Sequence, residues 1–266
     1  MWHARHVNVG NRSMRAVMRA PMQAGHYRAL LGMIRSYPDL FDSARRYLTG
    51  TGEYPHRCRV RTPIGVITPT LFSSHDMSTV NEIFCREDYR ASSDIRVVVD
   101  VGSNIGVSAL YFLTRNPGSR VLLFEPDPKN VARLRLNLAD FSGRYEVDEA
   151  AVTAADGTAT FASEPSGRYG TLLVDEPSPF ETTEITVRTR ALNGVLADVL
   201  GEAQRIDVLK IDTEGSETEL VESIDPELLE RISTIYYETT APTPLHTDRF
   251  SFHYSCQTNR LTADRV

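Results

Sequence analysis

Lysine is nearly absent from this 266-residue chain, which holds two, Lys129 and Lys210, against 27 arginines. Such a bias marks a genome that favours arginine codons, and it makes each remaining lysine informative. Cysteine is scarce as well. Cys58, Cys85 and Cys256 are widely spaced and odd in number, which fits neither a disulfide framework nor a zinc site. A reducing, cytoplasmic compartment is the simplest expectation. No apolar run approaches the roughly 18 residues that would cross a bilayer, and no apolar core of signal-peptide length follows the N-terminus. Acidic residues are missing from the first 38 positions, which carry six arginines (Arg5, Arg12, Arg15, Arg19, Arg28 and Arg35). This arm is expected to form a helix packing on its own domain. Its stripe of Leu30, Leu31, Met33, Ile34 and Tyr37 keeps weak association with an anionic membrane surface open as the other reading.

The rest of the composition is that of a globular chain, with 41% hydrophobic residues, 24% charged residues and 14 prolines. A net charge of -6 disfavours a nucleic-acid partner, because neutralising phosphates needs clustered cations. The pattern changes near residue 92. Residues 1–92 read as an N-terminal helical and hairpin extension, with helices over 22–36 and 39–48, a hairpin turning at Pro63-Ile-Gly65, and a helix over 76–84 capped by Asp76 or Ser78. Residues 93–266 alternate short apolar strands with amphipathic helices, which predicts an α/β fold with a mostly parallel sheet covered on both faces. Strands are expected at 96–101, 120–125, 145–152, 205–212 and 233–238. An antiparallel insertion at 158–161 and 184–190 carries a lid-like loop over 164–183, and an antiparallel hairpin at 250–263 closes the sheet edge.

The first strand of this domain runs into Val97-Val-Val-Asp-Val-Gly-Ser-Asn-Ile-Gly106. In an open α/β sheet ligands sit beyond the carboxyl ends of the strands, where a glycine turn lets the backbone approach them closely. Gly102 and Gly106 suit that task, and Asp100 offers an acceptor to a ligand's ammonium group or to loop amides. Glu125 ends the second strand as an acid placed to chelate two ribose hydroxyls. A nicotinamide-dependent oxidoreductase would share that acid. Its G-x-G-x-x-G fingerprint fails here, because Asn104 and Val107 stand at the second and third glycine positions.

The chain resembles the FkbM-type family of S-adenosylmethionine-dependent methyltransferases. The residues that carry the likeness are Val99-Asp-Val-Gly-Ser-Asn-Ile-Gly106, Phe124-Glu-Pro-Asp-Pro128 with Asn137-Leu138, Ala151-Val-Thr153 with Gly157, and Leu209-Lys-Ile-Asp-Thr-Glu-Gly-Ser-Glu217. The resemblance implies a class I methyltransferase (Rossmann-like) fold, S-adenosyl-L-methionine as cofactor, and methyl transfer to oxygen on sugar or secondary-metabolite hydroxyls. Carried over by position, Asp100, Gly102, Ser103, Asn104 and Gly106 would hold the methionine part. Glu125 and Pro126 would face the ribose, and Glu149 would meet the adenine edge unless Ala150 takes that place. Glu82 and Tyr89 also match the pattern and would cover the cofactor.

Lys210 and Asp212 share one face of a strand, and a lysine in a buried parallel strand needs a counter-charge from Asp212 or Asp100. Two roles compete for Asp212: general base or positioning acid at the strand end, and partner in a structural ion pair supporting the cofactor crevice. Asp212, Glu214 and Glu217 invite a magnesium site. The helix-start preference of carboxylates and a Ser216-x-x-Glu219 capping box explain them without one, so no metal is expected. The histidines His75, His246 and His253 are the other base candidates, and Glu238, at the same sheet edge, would contact the acceptor. The reading is an O-methyltransferase of a small-molecule hydroxyl, on a sugar, glycolipid or polyketide-type compound. N-methylation and a non-catalytic cofactor-binding scaffold are the alternatives.

Overall fold

The computed structural model describes residues 8–9, 12–13, 24–164, 170–172 and 182–264, with side chains from residue 30 onward. The chain divides into two compact units, Met1–Asp88 and Tyr89–Val266.

The first unit contains an antiparallel pair of two-residue strands, Asn8–Val9 and Arg12–Ser13, helices α1 (Ala24–Ser36) and α2 (Leu40–Thr49), four further short strands and helix α3 (Ser74–Val80). Strands β1 (His56–Arg57) and β4 (Thr70–Leu71) pair antiparallel, as do β2 (Val60–Thr62) and β3 (Gly65–Ile67) around the expected Pro63-Ile-Gly65 turn. The start of α3 corrects the sequence reading. Ser73, not Asp76 or Ser78, is the N-cap, and Asp76 closes a reciprocal capping box with it. The helix then widens into a π-turn over Asn81–Cys85. Cys58 and Cys85 are buried and Cys256 is exposed, all as free thiols.

The second unit is built on a seven-stranded sheet. Its strands are β5 (Val97–Val101), β6 (Arg120–Phe124), β7 (Tyr145–Asp148), β12 (Val208–Ile211), β13 (Thr234–Glu238), β14 (Phe250–Ser255) and β15 (Thr258–Ala263). The spatial order is β14-β15-β13-β12-β5-β6-β7. The five strands from β13 to β7 run parallel, and the terminal hairpin adds β15 and β14 antiparallel. This is the mostly parallel α/β sheet with an antiparallel C-terminal edge that the strand–helix alternation predicts. The order reverses between β5 and β12, so a crevice opens there at the carboxyl ends of the strands.

Helices α4 (Val107–Leu113), α5 (Pro128–Asn137), α6 (Leu192–Glu202), α7 (Glu217–Glu222) and α8 (Pro226–Leu229) belong to the same unit. One buried cluster joins Val99, Leu209, Ile211, Ile235 and Tyr237 of the sheet to Leu196 and Leu200 of α6 and Val221 of α7. Those strand residues alternate with others, so they share one face of the sheet.

A second difference from the sequence reading lies at 145–152. One strand was expected there; two are present, broken at Glu149. Tyr145–Asp148 ends the main sheet, and β8 (Ala150–Thr153) joins a separate four-stranded sheet of order β8-β11-β9-β10, with β9 (Gly157–Ser163), β10 (Thr171–Leu172) and β11 (Thr183–Ala191). The antiparallel pairing of β9 with β11 is the expected insertion. Within the loop read as a lid, residues 165–169 and 173–181 lie outside the described residues.

Candidate functional site

The loop after β5 is shaped by its backbone. Gly102, with φ +77°, approaches the end of β12 so closely that a Cβ would stand 1.8 Å from the Asp212 carbonyl oxygen. Gly102 and Ser103 both donate their amides to the Phe124 carbonyl, at 3.0 and 3.1 Å, and the Asp212 amide donates to Val101 at 3.1 Å. Asn104 holds the left-handed φ of +48°. Its amide donates to Glu125 Oε2 at 2.8 Å, while the Asp127 amide donates to Oε1 at 3.0 Å. The two glycine-loop ends are thereby tied to the strand on each side.

These elements frame an open crevice at the carboxyl ends of the strands. Gly102, Asn104, Glu125, Pro126 and Asp212, all expected there, line it. Apolar walls come from Val101, Phe124, Ala150, Ala151, Val152, Phe161 and Leu172, and further polar lining from Asn130, Thr213 and Glu214. Burial raises the Glu125 pKa to about 7 against the pull of its two backbone donors. An acid with acceptor oxygens beside an apolar slot fits a ribose carrying a base. The absence of room for a Cβ at Gly102 lets the ends of β5 and β12 approach each other closely.

Several residues expected to hold the cofactor lie outside the lining of this crevice. Asp100 does not line the crevice; it is buried, faces Lys210 in register across β5 and β12, and accepts from the Ser108 hydroxyl at 2.6 Å. Ser103 turns its hydroxyl to the Asp100 carbonyl. Gly106 is the left-handed N-cap of α4, packed near Leu134 and Leu138. Glu149 points away from the crevice, pairing with Arg135 at 2.7 Å, and Ala150 and Ala151 form the wall in its place. The strand break at Glu149 causes this, because the chain changes sheets there.

Lys210 lies at the bottom of the arrangement, 2% exposed, with its ammonium 3.1 Å from Asp100 Oδ1, 3.3 Å from Asp212 Oδ2 and donating to the Gly102 carbonyl at 2.9 Å. The approach to Asp100 is an ion pair without hydrogen-bond alignment. Burial works to lower the pKa of Lys210, but Asp100 and Asp212 outweigh it and hold it above the ordinary lysine value. A lysine so placed positions its neighbours and is not itself a base. Both counter-charges that the sequence left as alternatives are in use. Asp212, with its side chain 30% exposed, is the member that reaches the crevice.

Glu238 accepts a hydrogen bond from the buried Tyr89 hydroxyl at 2.5 Å, and the Lys210 ammonium lies 5.5 Å from the Tyr89 ring centroid. Register sets Glu238 on β13 beside Asp212 on β12, since Tyr237 pairs with Ile211. His246 is occupied elsewhere: its Nε2 bonds the Val221 carbonyl at 2.8 Å. His75 and Glu82 belong to the first unit, on α3 and the π-turn that follows it.

The expected Ser216–Glu219 capping box is not formed. Ser216 instead shares a hydrogen bond with the Thr213 hydroxyl. Glu217, the first helical residue, turns back to the loop, accepting from the amides of Thr213 at 2.7 Å and Gly215 at 3.0 Å. Asp127, overlooked in the sequence, is readable there as an N-cap before Pro128. It accepts from the Lys129 amide and from Ser163 at 2.5 Å, which fastens β9 of the wall to the start of α5.

Among proteins of known function, methyltransferase sdnD of Sordaria araneosa is 29% identical over 173 residues, 54% of this chain and 66% of that protein. Hexuronic acid methyltransferase AglP of Haloferax volcanii is 26% identical over 176 residues, 62% of this chain and 70% of its own. The 31-O-demethyl-FK506 methyltransferase FkbM of Streptomyces tacrolimicus is 27% identical over 211 residues, 67% and 80% of the two chains. A solved methyltransferase from Geobacter sulfurreducens is similar over 70% of this chain and 77% of its own, at 15% identity and a TM-score of 0.37. The methyltransferase FkbM domain model matches residues 100–257, from the aspartate beside Lys210 to the turn of the C-terminal hairpin, and the chain belongs to that family of methyltransferases.

Proposed function

We propose that this methyltransferase takes its methyl group from S-adenosylmethionine and delivers it to a hydroxyl of a small molecule, of sugar, glycolipid or polyketide type. The observation that carries the reading is Glu125: a buried carboxylate on the crevice, held by the amides of Asn104 and Asp127. Its lone pairs suit the two hydroxyls of a ribose, and Ala150, Ala151, Phe161 and Leu172 supply an apolar slot for the adenine. The bound cofactor would supply an electrophilic methyl group. The chain's task is then to align the acceptor and receive its proton. Asp212, held by Lys210 at the open end of the crevice, is the carboxylate in place for both. Relatives whose names specify oxygen methylation, such as the 2-O-methyltransferase NoeI of Sinorhizobium fredii, support a hydroxyl acceptor.

Calorimetric titration with S-adenosylhomocysteine and with NADH tests the cofactor class. Saturable binding of the first alone is expected, and binding of NADH alone would overturn the reading. Glu125 also gives the binding a pH signature. Ribose hydroxyls donate to the ionised carboxylate, so affinity follows the ionised fraction of a group with a pKa of about 7. The apparent Kd for S-adenosylhomocysteine should be about tenfold weaker at pH 6 than at pH 8. The free protein responds with the opposite sign. A carboxyl raised from 4.5 favours the folded state at low pH and loses that contribution as pH rises through 7. Glu125→Gln should flatten the binding profile as well as weaken it; an unchanged slope in that variant would remove Glu125 from the ribose site.

Asp212→Asn keeps the size of the side chain and removes its capacity to take a proton. With methyl acceptors bearing free hydroxyls, kcat should fall about 100-fold or more, while S-adenosylhomocysteine affinity changes little. Full turnover in the variant would assign the proton to another group.

A further inference from the structure

Helix α1 presents two apolar faces, and only one is used. Met33 and Tyr37 are buried, and Gly32 lies so near the Cys85 backbone that a Cβ would stand 1.9 Å from its carbonyl oxygen. On the adjoining arc Leu30, Leu31 and Ile34 are 56%, 55% and 52% exposed. Helix α2 repeats the pattern. Phe41 is 92% and Leu48 56% exposed, and Arg45 falls between them at the i, i+4, i+7 spacing of one helix face. Single exposed leucines are ordinary; five large apolar side chains on two successive helices are not.

Charge names the occupant. Residues 1–88 hold 12 arginines against 7 acidic residues, whereas residues 89–266 hold 17 basic against 28 acidic ones. The excess lies in the first 38 positions: α1 carries Arg28 and Arg35 and no acidic residue, with Arg35 directly after Ile34, while Arg45 in the exposed row of α2 is paired with Asp42. A second copy of the chain would bring two such acid-free, arginine-bearing α1 helices together. A bilayer with anionic headgroups offers both an apolar interior and complementary phosphates. We propose that the exposed faces of α1 and α2 dock this protein on an anionic lipid surface, with the apolar side chains entering the headgroup boundary and the arginines meeting lipid phosphates. No helix among the described residues is long and apolar enough to cross a membrane, so the contact is peripheral. The proposal is independent of the cofactor and acceptor named above.

Co-sedimentation of the full chain with phosphatidylcholine vesicles, with and without about 30% phosphatidylglycerol, tests it. Binding to the anionic vesicles should exceed binding to neutral ones by about tenfold and fall away in 0.5 M salt. The double variant Leu31→Glu, Ile34→Glu and the single variant Phe41→Asp should each lose about tenfold in vesicle binding, with unchanged melting temperature and S-adenosylhomocysteine affinity. Those controls separate a lost surface from a lost fold. Arg35→Gln should lower binding to anionic vesicles alone. Equal sedimentation with both vesicle types would overturn the proposal. So would sedimentation with neither, or a concentration-dependent dimer that the same substitutions dissociate.

Discussion

Replacing Lys210 with methionine should destabilise the protein by about 3–5 kcal/mol, because it leaves Asp100 charged, buried and without its cation. The whole stability of a typical domain is about 5–15 kcal/mol, so the shift in a urea unfolding midpoint will be large. The cause is separable from lost packing. Methionine fills nearly the same volume, and Asp100→Asn combined with Lys210→Met removes both charges together. The double variant should recover much of the loss, since the two groups are in contact and their effects are not additive. A Lys210→Met protein within 1 kcal/mol of the parent would show that the pair with Asp100 carries little of the fold's stability. It would also remove the ion pair from the account of how Asp212 is held.

Gly102→Ala is the second large effect. A left-handed residue with a side chain costs about 1–3 kcal/mol where the surroundings force it, and here the new Cβ would also meet the Asp212 carbonyl at 1.8 Å. The strand ends must separate, and both carry the crevice. Binding of S-adenosylhomocysteine should weaken on the order of 100-fold, the scale that a shift of about 1 Å in a positioned site produces. Gly50→Ala supplies the control. Gly50 has a similar φ of +66° with nothing within 4 Å of its Cβ position, so it reports backbone strain alone. If the two variants melt alike and bind alike, the close approach at Gly102 carries no weight.

What could be read in advance divides along physical lines. The parallel sheet was legible because Val97–Val101, Arg120–Phe124 and Val208–Ile211 are short apolar runs between helical stretches, and periodicity is a local property of the chain. The glycine turn and Glu125 were legible because they sit at strand ends, where the fold leaves ligands. Depth was not legible. Asp100 occurs in the loop motif like its neighbours Gly102 and Asn104, but pairing with β12 sets it opposite Lys210 beneath the crevice. That register is a long-range fact, absent from any window of sequence. The same holds for Ser163 on Asp127 and for the change of sheets at Glu149. The carboxylates after β12 illustrate a nearer miss. A capping box was expected, yet Ser216 makes no side-chain cap bond and Glu217 serves the loop amides of Thr213 and Gly215 ahead of the helix.

The change of sheets at Glu149 separates two kinds of inheritance within one site. Floor residues such as Val101 and Phe124 are fixed in the register of the seven-stranded sheet, where a slip would disturb the whole core. Wall residues Ala150, Phe161 and Leu172 stand on the four-stranded insert, joined to the start of α5 through Ser163 and Asp127. Insertions or substitutions in that insert can therefore reshape the mouth of the crevice while its floor stays unaltered. In the proposed reading that wall holds the adenine, so such changes would alter the grip on the donor while the strand that leads to Glu125 keeps its register.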